Sequence, residues 1–116
     1  MAYRRKVMRV HPQFIDLLDD SIGACTGYRP GQCFTVMMGL FLNTSDAVQQ
    51  ELIHRASQLA HQFEDRKSYD LIPIQVHTSS KSMLLFRQNS DKIVMIAVLL
   101  FHGMIEDKKG GSVGGR

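Results

Sequence analysis

The chain has 116 residues, 44% of them apolar and 22% charged, which suits one soluble globular domain and excludes a disordered, collagenous or large multidomain protein. Its net charge of +3 is unevenly placed: Arg4, Arg5, Lys6 and Arg9 make the start basic, residues 10–107 hold seven Lys/Arg against eleven Asp/Glu, and Lys108, Lys109 and Arg116 make the end basic again. A mildly acidic body with two basic ends confines any contact with a polyanion to those ends.

Residues 5–10 (RKVMRV) alternate, with Lys6, Met8 and Val10 on one side and Arg5, Val7 and Arg9 on the other, which predicts a short strand with a partly basic face. His11-Pro12 ends it, since proline supplies no strand donor but suits the first turn of a helix. Phe14, Ile15, Leu17, Leu18 and Ile22 then recur at helical spacing, for about three turns. The stretch from Gly23 to Gly31, with three glycines and Pro30, stops that helix. A second helix from about Pro30 runs through QCFTVMMGLFLN and is apolar on nearly all sides, so it is expected to be buried on nearly all sides. In so small a protein, its burial could draw on a second subunit.

Asp46 with Gln49 resembles a capping box and opens a third helix, whose apolar stripe is Val48, Leu52, Ala56, Leu59, Ala60 and Phe63 and whose polar face holds Gln50, His54, Gln58 and His61. It should end in the charged residues 64–68. Residues 71–77 alternate again, with Ile72, Ile74 and Val76 opposite Pro73, Gln75 and His77, and the proline restricts this strand to an edge or a start. Residues 78–90 fit a turn plus a strand or a short helix, with the strand preferred. Ser90-Asp91 caps a last helix expected to reach Asp107, its IVMIAVLLF segment apolar all round, and GGSVGG beyond it is a flexible tail by composition.

The fold class is therefore α+β and mostly helical: a short N-terminal strand, two helices, a long amphipathic helix, then one or two strands and a buried C-terminal helix. Residues 1–43, 44–68, 69–107 and 108–116 are the segments, within one compact domain. The N-terminus lacks the apolar core of a secretory signal, and the longest apolar run, Ile93 to Phe101, is about half of a bilayer span, so a cytoplasmic protein with no membrane partner is expected.

Catalytic chemistry finds no foothold. His54 and His61 lie about 10 Å apart along one helix, too far to share a metal, and no His-x3-His or Cys-x2-Cys grouping occurs. Cys25 and Cys33 read as small apolar fillers, and Met37, Met38, Met83, Met95 and Met104 as core. Asp16, Asp19 and Asp20 fit the outward face of the first helix. No phosphate-binding glycine loop or nucleophile elbow is present. The expectation is a non-enzyme with no metal or cofactor.

The order of basic strand, helix, glycine-bearing turn and apolar helix over residues 4–43 resembles the ribbon-helix-helix DNA-binding family, of the MetJ and Arc type. The resemblance implies that two copies pair their strands into an antiparallel ribbon lying in the major groove of double-stranded DNA. It further implies that Arg5, Val7 and Arg9 face the groove beside Arg4, and that Arg29 and the backbone of Gly31 and Gln32 sit near phosphate. Phe14, Leu17, Leu18, Ile22, Phe34, Met37, Met38 and Phe41 would form the shared core of a homodimer. Two departures stand out: His11 lies between strand and proline, and Tyr28-Arg29-Pro30-Gly31 replaces a Ser/Thr-rich helix start.

Residues 72–107 read as a separate α+β unit or as a degenerate second copy, since Gln75-Val76-His77 echoes Arg9-Val10-His11 and VMIAVLL at 94–100 echoes VMMGLFL at 36–42, at unequal offsets. A second copy would let one chain form a pseudo-dimer with a single basic strand. Two functions follow. One is a small dimeric transcriptional regulator or accessory protein of the phage or plasmid type, using the basic strand on DNA. The other is a non-enzymatic adaptor or inhibitor that docks on a protein partner through an apolar patch. A solvated N-terminal strand without a ligand is the bland alternative to the first.

Overall fold

The structure, a computed structural model, describes residues 4–20, 27–63 and 70–105. Strand β1 (Arg4–Val10) leads through His11 into α1 (Pro12–Leu18). Helices α2 (Pro30–Leu42) and α3 (Asp46–Leu59) follow, the latter ending in a 3-10 turn over Ala60–Gln62. Strand β2 (Ile72–Thr78), α4 (Ser80–Gln88) and α5 (Asp91–Phe101) complete the fold. It is a mostly helical α+β architecture with one two-stranded antiparallel sheet among the described residues.

The alternation of β1 and β2 decides which face is buried. Met8, Val10, Ile74, Val76 and Thr78 turn inward, while Arg5, Val7, Arg9, Pro73, Gln75 and His77 turn outward. The strands pair from Arg4 opposite Thr78 to Val10 opposite Ile72, with Val7 opposite Gln75 at the centre. β1 thus finds its pairing edge within its own chain, where the family resemblance implied a second copy.

The helices begin at local caps. His11 Nδ1 accepts from the Gln13 amide at 3.1 Å, which gives the extra residue before Pro12 a purpose: it closes the start of α1. Ser79 does the same for α4 through Ser82, and Ser90 for α5 through Ile93. Ser45, not Asp46, caps α3, and the Gln49 side chain instead donates to the Leu42 and Thr44 carbonyls at the end of α2. Residues 80–88 are helical rather than a strand, because Ser79 and Ser82 form a reciprocal cap and Ser82 and Leu85 present one buried stripe. α5 stops at Phe101, short of Asp107: Gly103 takes φ 72° and the Met104 amide bonds back to the Leu99 carbonyl at 2.9 Å. α1 spans seven residues and runs on into a π-helical turn at Asp19 and Asp20, and Ile22, Gly23, Cys25, residues 64–69 and the tail from residue 106 lie outside the described residues.

The core lies between the inner face of the ribbon and the helices. Phe14, Leu18, Phe34, Met37, Met38 and Phe41 are buried as expected, and Leu17 packs at their margin. Cys33 and Met95 are core as well, whereas Met83 and Met104 are only partly buried. α5 is buried over the whole of Val94–Leu99, because α3 packs along it on the side that the ribbon, α2 and α4 leave open. One chain therefore covers this helix unaided. α2 differs from the expectation: Val36 and Leu40 stand 41% and 50% exposed on one stripe of it. Val48, placed on the inner stripe of α3, is also exposed. Among the described residues, no helix is long and apolar enough to cross a membrane.

Candidate nucleic-acid interface

Among the described elements the strand–helix–helix order occurs twice, as β1-α1-α2 and as β2-α4-α5. β2 starts 68 positions after β1 and α4 starts 68 after α1, whereas α5 starts 61 after α2, because only Asn89 and Ser90 separate α4 from α5. The central pair Val7–Gln75 has the same spacing of 68, so the local two-fold axis of the ribbon passes through it. Neither echo in the sequence marks this correspondence: Val7 matches Gln75, and Arg9 matches His77.

Each second helix starts beside the strand of the other unit. A Cβ added to Gly31 would lie 2.0 Å from the Gln75 carbonyl oxygen, so only glycine lets the start of α2 come this close to β2. One turn on, Thr35 Oγ1 accepts the His77 amide at 3.1 Å and donates to the Gly31 carbonyl at 2.8 Å. The helix thereby occupies the outer edge of β2, which would otherwise offer unpaired backbone groups. On the other side, the start of α5 reaches β1 through Asp91, whose carboxylate lies 3.3 Å from Lys6 Nζ.

These approaches build a cleft of about 600 Å³ along β2, lined by Arg5, Arg29, Gly31, Gln32, Gln75 and His77 among others, with no carboxylate among the described residues of its wall. Four of the residues singled out in the sequence thus converge, although Arg5 comes from β1, Gly31 and Gln32 from α2 and Arg29 from the cap before it. The Arg29 amide donates to Gln32 Oε1 at 3.0 Å, which fixes the first turn of α2. That turn presents the positive end of the helix dipole and amides with no carbonyl partner inside the helix.

Val7 and Arg9 continue the same exposed face beyond the cleft, Val7 being 48% exposed. Arg4 does not join them. It lines a separate groove of about 390 Å³ with Ser79, Ser80, Met83, Leu84 and Arg87. Lys6 also leaves the basic face: it turns inward, pairs with Asp91 and lies 4.9 Å from the centre of the Phe86 ring. Gln75 and His77 were not singled out as site residues, although their alternation with Ile74 and Val76 already placed them on the outer side. His54 and His61 are exposed, and no metal-ligating cluster occurs among the described residues. No family model, curated protein or solved structure matches the chain.

Proposed function

We propose that the chain is a small DNA-binding regulator or accessory protein that lays the outer face of its β1–β2 ribbon against double-stranded DNA. The observation that carries this reading is the ribbon itself. It is two strands wide and solvent-exposed along its whole outer face, it displays Arg5, Val7 and Arg9 there, and the start of α2 flanks it with Arg29 at hand. A two-stranded ribbon fits the width of the major groove, arginine can bond the O6 and N7 edge of guanine, and valine can meet a thymine methyl group. The doubled strand–helix–helix order supports the likeness to the ribbon-helix-helix family, with both halves supplied by one chain. Such a protein holds its ligand by contact alone and performs no reaction.

The experiment is a mobility-shift series with duplex DNA at rising salt, comparing the natural chain with Arg5→Ala/Arg9→Ala. Both positions are exposed, so the double variant should keep its fold and lose binding. If that variant still shifts DNA at low salt as the natural chain does, the ribbon is not the reader.

A second reading, a non-enzymatic adaptor or inhibitor, is favoured by Val36 and Leu40, which lie four apart on one exposed stripe of α2. Capture of a protein partner that is lost on Leu40→Ser and kept on Arg9→Ala would select it over the DNA reading.

A further inference from the structure

We infer that a single chain reads a duplex site without dyad symmetry, in one fixed orientation. The inference rests on the DNA reading above and goes beyond it, because that reading alone is equally compatible with a palindromic site. The local two-fold axis through Val7 and Gln75 relates Arg5 to Pro73 and Arg9 to His77. A symmetric site would require equal chemistry at the related positions. Here one strand offers Arg, Val and Arg, and the other Pro, Gln and His. Arginine suits guanine, glutamine can bond the N6 and N7 edge of adenine, and proline has no side-chain donor or acceptor. The two halves of the ribbon therefore recognise different base pairs.

The flanks repeat this inequality. At the β2 edge, Arg29 caps α2, which begins with Pro30 and Gly31, and there is no carboxylate among the described residues that line the cleft. At the β1 edge, Ser90 caps α5 and the first turn of that helix carries the Asp91 carboxylate. The two neighbouring cations are each directed to a partner within this chain. Lys6 is paired with Asp91, and Lys92 Nζ turns back to donate to the Phe63 carbonyl at 2.7 Å. A phosphate gains cationic and amide partners on the α2 flank and meets a carboxylate on the other, so rotating the chain by half a turn on the same site exchanges a favourable flank for an unfavourable one.

The test selects binding sequences from a pool of random duplexes and weighs the complex by native mass spectrometry. The expected result is a selected sequence with no internal dyad and one chain per duplex. Arg9→Ala and Gln75→Ala should each relax the preference at different base pairs, not related by symmetry, by roughly 5- to 150-fold. A palindromic sequence bound by two chains overturns the inference and leaves the ribbon as the reader. No selection and no shift of any duplex at low salt overturns both. The two failures are thus told apart by whether any DNA binds.

Discussion

The His77 amide donates to the Thr35 hydroxyl at 3.1 Å, joining the outer edge of β2 to the middle of α2 across 42 residues of sequence. Because Thr35 also donates to the Gly31 carbonyl, one side chain holds the start of α2 at a fixed height beside the ribbon. Replacing Thr35 by valine keeps the shape and removes the acceptor. The expected cost is about 0.5–1.5 kcal/mol, the net worth of one such bond. Hydrogen exchange should read it locally, as faster exchange of the His77 amide with little change in the amides of α5.

Gly31 and Gly39 lie on the same helix and should respond oppositely to alanine. At Gly31 the new Cβ meets the Gln75 backbone, so the strand or the helix must move, and a loss of about 1–3 kcal/mol or more is expected. At Gly39 nothing lies within 4 Å, and alanine should gain about 0.5–1 kcal/mol from its better helix propensity. Urea unfolding of the two variants checks both signs. Equal effects at the two positions would contradict the close approach of α2 to β2.

The ribbon closes within one chain, so folding needs no second copy. The midpoint of thermal unfolding should stay constant as protein concentration is varied over a hundredfold range, whereas a ribbon built from two copies would melt earlier on dilution. Differential scanning fluorimetry across that range decides the matter.

Lys6 and Arg9, close neighbours in the basic strand, should separate function from stability. Lys6 lies on the inner side against Asp91 and Phe86, each partner of the ion pair being less than a third exposed, so Lys6→Met should alter stability by no more than about 1 kcal/mol. DNA affinity should change little. Arg9→Ala should leave stability unchanged and weaken DNA binding at every salt concentration, with loss of preference at the base pair it meets. Titrations followed by fluorescence anisotropy at several salt concentrations measure both effects.

The parts of this fold that local chemistry writes were legible in the sequence. Period-two alternation separated Arg5, Val7 and Arg9 from Met8 and Val10, helical spacing marked Phe14, and the family resemblance implied Phe34, Met37 and Phe41 as core. One misreading was local, and the others arose where partners distant in sequence decide. Residues 80–88 carry both a strand-like apolar pair and a serine cap, and the cap prevailed because it satisfies the first amides of α4. The pairing of β1 with β2 could not be read from either strand alone, since any alternating segment can take an antiparallel partner. The two strand–helix–helix runs match in the spacing of their strands and first helices, at 68 residues, and the echoes in the sequence fall at other offsets. The cleft was half legible: Arg5, Arg29, Gly31 and Gln32 were singled out, while Gln75 and His77 joined only when β2 was found beside α2.

The most direct test of the ribbon as the DNA-binding surface is an NMR titration of the isotopically labelled chain with a short duplex at low salt. The amides of Arg5, Val7, Arg9, Gln75 and His77 are expected to shift together with those of Gly31 and Gln32, while Val36, Leu40 and the Arg4–Arg87 groove stay in place. Shifts confined to that groove or to the Val36–Leu40 stripe, with the ribbon unmoved, would contradict that expectation.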